Sequence, residues 1–127
     1  MEFTIGLTGE ARILTDDSNT AEAMGSGSLR VFATPAMIAL MEKAATNAIK
    51  DVMPSDNTSV GTMLNIRHMA ATPVGMEVSA VARLVEIDGR RLVFDIEASD
   101  EKGRIGEGRH ERFVVNINKF MEKAGKK

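Results

Sequence analysis

The sequence predicts an α+β fold, one long helix packed against an antiparallel sheet. Two observations carry this. A single strong helical segment over residues 34–53 precedes four consecutive strand-like runs, and the turn signals between those runs are short. Strands that follow one another through tight turns pair antiparallel, whereas a parallel array needs helices interleaved between them. The chain has 127 residues, enough for one ordinary domain over 1–127 and for a core that needs neither disulfides nor a structural metal.

Taken in order, Phe3-Thr4-Ile5-Gly6-Leu7-Thr8 alternates apolar and polar residues, the period of a half-buried strand. Residues 15–27 are rich in Asp, Ser, Asn and Gly and read as loop, with one helical turn at Ala21-Glu22-Ala23-Met24. The helix over 34–53 is built of Ala, Met, Leu and Lys, all good helix formers. Thr34 is placed to cap its free N–H groups, Pro35 suits the first helical position, and Pro54-Ser55 ends it. Ile38, Met41, Ala45, Ala48, Ile49 and Val52 share one face; Lys43, Thr46, Asn47 and Lys50 share the other. Residues 36–41 are apolar all round, so this half of the helix is expected to be covered on most sides.

The strand-like runs are 59–71, 76–87, 91–99 and 105–118. Pro73-Val74-Gly75 separates the first pair, Asp88-Gly89 marks a hairpin, and Asp100-Glu101-Lys102-Gly103 a slightly longer one. The lysines that follow read as a solvated tail.

Composition removes several function classes. With no cysteine, disulfides, thiolate nucleophiles and thiolate metal sites are excluded. Sixteen basic and eighteen acidic residues are interspersed, and Trp and Tyr are absent, so neither a phosphate-binding stripe nor a base-stacking platform is present and nucleic acid is not an expected partner. The longest apolar stretch, residues 35–41, is too short to span a bilayer, and Met1-Glu2-Phe3-Thr4 does not open an export signal. A cytoplasmic protein without membrane partners is expected.

Three residues are candidates for chemistry. A hydroxyl at Thr34, beside the positive end of the helix dipole, is placed to meet a carbonyl or an oxyanion, alongside its capping role. Glu42 falls on the border of the apolar face: it either reaches solvent or, if buried, has the raised pKa of a general base. His68 shares a strand face with Val60, Thr62, Leu64 and Ile66, opposite Gly61, Met63, Asn65, Arg67 and Met69. That face is the one expected to meet the helix, so His68 is either a satisfied core histidine or an acid–base partner for Glu42. His110 and Arg112 alternate with Phe113 and Val115, and His110 reads as structural or surface. Thr34 and Glu42 lie eight residues apart, ~12 Å along the helix and ~80° apart in azimuth. One site holding both therefore needs His68 or substrate between them, or a second chain. The second chain, and the open sheet edge of so small a protein, both suggest a dimer.

The segment Val31-Phe32-Ala33-Thr34-Pro35-Ala36-Met37-Ile38-Ala39-Leu40-Met41-Glu42 resembles the helix signature of the fluoroacetyl-CoA thioesterase-like branch of the hotdog superfamily. The likeness continues in Val60-Gly61-Thr62, His68-Met69-Ala70-Ala71-Thr72-Pro73 and Gly108-Arg109-His110-Glu111-Arg112, in the family's order. It implies a hotdog fold, a sheet wrapped around a central helix, working as a homodimer or a tetramer with sites at the interface. It implies hydrolysis of an acyl-CoA or related carrier thioester with a small acyl group, with coenzyme A as part of the substrate and no metal or redox cofactor. Thr34, Glu42 and His68 match the family's catalytic threonine, glutamate and histidine, and Gly61 and Arg112 match positions that line the acyl pocket or support the site. The fluoroacetyl-specific member carries lid phenylalanines ahead of the helix. Here that stretch is Met24-Gly25-Ser26-Gly27-Ser28-Leu29, which implies a more general acyl-CoA thioesterase and leaves a flexible gate. A binding module that does not consume acyl-CoA, and a hydratase or dehydratase acting on the acyl chain, are the alternatives.

Overall fold

The computed structural model describes residues 2–127; Met1, the first residue of the Met1-Glu2-Phe3-Thr4 opening, lies outside them. The elements run β1 (Thr8–Leu14), α1 (Ala21–Met24), α2 (Thr34–Ile49) with a 3-10 turn (Lys50–Val52), β2 (Asn57–His68), β3 (Glu77–Asp88), β4 (Arg91–Ser99), β5 (Arg104–Asn116) and α3 (Ile117–Gly125). The five strands form one antiparallel sheet in the order β1-β3-β4-β5-β2. One long helix lies against its inner face, the α+β layering expected from the order of elements.

The core forms where α2 meets the sheet. Met37, Leu40, Met41, Ala44, Ala45, Ala48 and Ile49 of α2 are buried against Val78, Ala80, Ala82 and Leu84 of β3 and Leu92, Phe94 and Ile96 of β4. Each large side chain removed from water there contributes roughly 1.5–3 kcal/mol. Buried residues alternate with more exposed ones along β3 and, from Phe94 on, along β4, as a one-sided sheet requires; Val93, on the other face of β4, is buried as well. Small residues set the spacing: a Cβ on Gly9 of β1 would fall 2.2 Å from the Ala44 carbonyl oxygen and 2.3 Å from the Ala48 nitrogen. No helix among the described residues is long and apolar enough to cross a membrane.

Four local expectations are corrected. The first strand begins at Thr8, not at residue 3: Ile5-Gly6 turns, with Gly6 at φ +100°, and pairing with β3 starts at Thr8↔Arg83. Thr34 is the first helical residue, not the cap. Ala33 holds the cap position with extended dihedrals, and no side chain caps α2. The alternation along β2 breaks at a bulge between Gly61 and Met63. Val60, opposite Phe113, therefore faces outward, while Gly61, opposite Arg112, joins His68 on the helix side. The C-terminal tail is a helix, α3, capped by the Asn116 side chain on the Lys119 N–H at 3.0 Å.

Candidate active site

The start of α2 is positioned by the chain that leaves β2. Phe32 N–H donates to Thr72 O (2.9 Å), Val31 bridges Pro73, and Ala33 N–H donates to Asn19 O (2.9 Å). Thr72 is buried and donates from its hydroxyl to Asp100 Oδ2 (2.8 Å), fixing this crossing against the β4–β5 turn. Gly106, opposite His68 in the register, has no side chain, and the Met37 sulfur occupies the place where one would lie, 2.6 Å from a Cβ built there. The close approach brings the N-terminus of α2 over the end of β2. Consequently Thr34 Oγ1 lies 2.7 Å from His68 Nδ1.

The tautomer follows from what this pair can do. The threonine hydroxyl has one hydrogen, and for it to be donated to Nδ1 the imidazole must be neutral with its proton on Nε2. Nε2 is buried and has no hydrogen-bond partner among the described residues. Burial lowers the His68 pKa, with the Ala70 backbone acting the other way, so the neutral ring persists below its ordinary value of 6.5. A cavity of about 280 Å³ opens beside the pair, lined by Ala21, Ser26, Phe32, Met69 and Ala70 as well as Thr34 and His68.

Glu42 makes its contacts elsewhere. Its Oε2 lies 3.2 Å from Arg112 Nη1, and the histidine beside it is His110, at 3.9 Å, not His68 as the sequence suggested. Arg112 is buried and donates to Ser59 twice, Nε to Oγ at 2.8 Å and Nη2 to the carbonyl at 3.0 Å. Its pKa is lowered, first by burial, with Glu42 opposing. Gly61 completes this cluster: a Cβ there would stand 2.5 Å from Glu42 Oε2. Glu42 itself is half-buried, so the border position read from the sequence holds.

Of the two readings the sequence left for His110, structural or surface, the structure supports the first: it is a buried member of this cluster. It is fully shielded from solvent and stacks on Phe94 with ring centroids 6.2 Å apart. Its Nδ1 pairs with Met63 O at 2.9 Å and its Nε2 with Arg112 Nη1 at 3.1 Å. Ser59 was not singled out from the sequence. The signal for both lay in Val114, whose burial marks the Arg112 face of β5 as the inner one. One chain thus carries two groupings, Thr34 with His68 and Glu42 with Arg112, His110 and Gly61, spaced along one helix.

A threonine hydroxyl paired with a histidine at an uncapped helix start, and a carboxylate on a guanidinium further along, lie on one helix cradled by an antiparallel sheet, the layout of a hotdog protein. The chain belongs to the fluoroacetyl-CoA-specific thioesterase family, whose profile matches residues 15–118. A curated relative, the fluoroacetyl-CoA thioesterase of Streptantibioticus cattleyicolor, is 40% identical over 97 residues, covering 76% of this chain and 70% of that protein. A solved structure of a fluoroacetyl-CoA thioesterase superposes with a TM-score of 0.93 at 31% identity, covering 100% of this chain and 98% of the other. A thioesterase superfamily member from Thermus thermophilus matches with a TM-score of 0.89 at 26% identity, covering 97% and 91%. The hotdog fold and membership of a thioester-hydrolysing family, both implied by the sequence motifs, are borne out.

Proposed function

We propose that the protein hydrolyses the thioester of short acyl-CoA substrates, using Thr34 and His68 from one chain and Glu42 with Arg112 and Gly61 from a partner copy in a dimer. The observation that carries this is the 2.7 Å contact between Thr34 Oγ1 and His68 Nδ1. It supplies the base within reach that a threonine nucleophile needs.

In this reading the thioester carbonyl points its oxygen at the N-terminus of α2, where no side chain caps the helix and the dipole favours developing negative charge. Thr34 Oγ1 bonds to the carbonyl carbon as its proton passes to His68 Nδ1. The C–S bond breaks, and the departing sulfur takes that proton to leave as the free thiol of coenzyme A. Water, activated by the carboxylate of the partner subunit's Glu42, then cleaves the threonine ester to release the acid and restore the hydroxyl. Arg112, itself anchored on Ser59, holds Glu42 in place, and Gly61 leaves room for it.

The second copy is supported by separation. The two groupings sit about 12 Å apart along α2, too far to act on one carbonyl within a chain. The unpaired outer edge of β2 offers a surface for a second copy to extend the sheet. The cleft beside the dyad suits a small acyl group, and residues 24–29, with exposed Met24 and Leu29 and no aromatic ring, favour general short acyl chains over fluoroacetyl alone. The enzyme works, in this reading, in the cytoplasm without a metal or redox cofactor.

A panel of acetyl-, fluoroacetyl-, propionyl-, butyryl- and crotonyl-CoA, read by thiol release and product mass, tests the proposal. Free thiol from the short members is expected. Tight binding without thiol release would make the protein an acyl-CoA binder, and hydration of crotonyl-CoA with its thioester intact a hydratase. A trapped acyl group on Thr34 is expected; one on Glu42 would reassign the nucleophile.

A further inference from the structure

We propose that His110 is a positioning residue, a strut that accepts one Nη1 hydrogen of Arg112 so that the other points at Glu42. The inference deepens the thioesterase reading and rests on it for its kinetic consequences.

The argument is one of hydrogen accounting. The Met63 carbonyl only accepts, so the hydrogen in its 2.9 Å contact belongs to His110 Nδ1. The Arg112 guanidinium only donates, so His110 Nε2 presents a lone pair to Nη1 at 3.1 Å. A single species meets both conditions, the neutral imidazole with its proton on Nδ1. Arg112 has five N–H groups. Nε–H is taken by Ser59 Oγ, one on Nη2 by Ser59 O, and the two on Nη1 by His110 and Glu42. Both Nη1 hydrogens are thus fixed in direction, and the one aimed at Glu42 is set by the one His110 accepts.

The surroundings keep the ring in this form. Phe94 of β4 stacks on it, and β2 contributes the Met63 carbonyl at its bulge and the bare Gly61. The charged groups around it are Arg112 and Glu111 on its own strand and Glu42 from α2; Glu111 is engaged by Arg91 at 2.7 Å. Burial first, and Arg112 with it, lower the His110 pKa against the opposing pull of the Met63 carbonyl, then of Glu42 and Glu111. A protonated ring would turn an N–H toward the Arg112 cation and release the guanidinium from its position. A plain packing residue would need none of this: a phenyl ring would fill the same space.

The primary measurement is the imidazole nitrogen spectrum of the wild-type protein near neutral pH. Neutral His110 with its proton on Nδ1 is expected; a proton on Nε2, or an imidazolium, would overturn the proposal. His110→Phe, which keeps a ring on Phe94, is expected to lower kcat by about ten- to a hundredfold with KM changed less than about threefold. His68 nitrogen shifts should stay unchanged, since the Thr34 dyad is untouched. In a cycle with Arg112→Lys, the double variant should lose little more than the worse single one. Wild-type kcat in His110→Phe, or fully additive losses, would refute the coupling. If that variant does not fold, the tautomer still decides. A wild-type protein that fails to release thiol refutes the functional reading instead, leaving the tautomer readable.

Discussion

Thr34 Oγ1 and His68 Nδ1 are 2.7 Å apart, joined by the first residue of α2 and the last residue of β2. Neither residue reaches the other by its own element alone. The contact depends on Phe32 bonding to Thr72 and on Gly106 letting Met37 sink onto β5. The dyad is therefore a product of the crossing between two chain segments, and its geometry is set before substrate arrives.

Removing either member of this dyad is expected to lower kcat by roughly 10²–10⁴, the range for losing an acid–base partner or its nucleophile. Thr34→Ala and His68→Ala should both do so, while Thr34→Ser, which keeps the hydroxyl, retains most activity. Thr34 is solvent-exposed, so the thermal midpoint of Thr34→Ala should stay close to wild type. Steady-state kinetics with acetyl-CoA beside thermal melts check this; near-normal turnover in Thr34→Ala would remove the hydroxyl from the mechanism.

Both histidines make stability depend on pH in the same direction. His68 and His110 have folded pKa values below the ordinary 6.5, in each case first because burial disfavours the charged ring. Between the folded and unfolded values the unfolded chain binds more protons, so stability rises with pH across that window. The contribution is complete above about pH 6.5 and declines as pH falls from there toward the folded values. Urea midpoints measured from about pH 7.5 down to about pH 5 should fall, and His110→Gln should flatten the decline. A midpoint that climbs on acidification through this range contradicts the assignment.

Gly61→Ala separates fold from chemistry. The new Cβ would lie 2.5 Å from Glu42 Oε2, 3.2 Å from His110 Cε1 and 3.4 Å from Arg112 Nη1. The tightest of these contacts is with the end of a flexible, half-buried side chain, which can swing away at a cost of about 1 kcal/mol or less. Stability should therefore change little, whereas the displaced carboxylate should lower kcat about tenfold or more. Calorimetry and kinetics on the same preparation decide. A large loss of stability with normal turnover would show that Gly61 serves packing alone.

Gly9→Ala is the opposite case. Its Cβ would strike backbone atoms of α2, 2.2 Å from Ala44 O and 2.7 Å from Ala48 Cα, and backbone in a packed helix cannot step aside locally. Destabilisation of at least about 3 kcal/mol is expected, at the upper end of overpacking costs. Urea unfolding measures it directly; a wild-type midpoint would mean that β1 and α2 separate easily.

The helix and the strand order were legible because they rest on local signals: Pro35 and Pro54 bracket the helix, and Asp88-Gly89 and Gly103 punctuate the sheet. What escaped depends on longer-range pairing. The bulge at Thr62 reverses the face of every β2 residue before it, and alternation read through it placed Val60 with His68 and set Gly61 opposite. Thr34 looked like a cap because its hydroxyl stands at a helix start; its partner His68 is 34 residues away, which no local rule sees. The helix α3 is written in local signals, Asn116 as cap before Ile117, Phe120 and Met121 at i, i+3 and i+4, but the lysines in and after it give this end the composition of a solvated tail. His110 stayed between a structural and a surface reading because a buried histidine and an exposed one share the same alternation, and the inner face shows only in the burial of Gly106, Arg112 and Val114 beside it.

The proposed division of the site between two chains has a decisive test in mixed dimers. Thr34→Ala and Glu42→Gln are each expected to be nearly inactive alone. If Thr34 works with the partner subunit's Glu42, a mixed dimer holds one site lacking both groups and one site that is fully intact. If both groups act within one chain, each site of the mixed dimer lacks one group and none is restored. Random reassortment of equal amounts makes half the dimers mixed, with one intact site each, so about a quarter of wild-type activity should return. The two variants are to be unfolded and refolded together, with each refolded alone as control, and assayed for thiol release. Recovery near that level requires a shared interface and places the 2.7 Å dyad of one copy opposite the Arg112-held carboxylate of the other. No recovery, with dimers demonstrated by sedimentation, would return the whole site to a single chain.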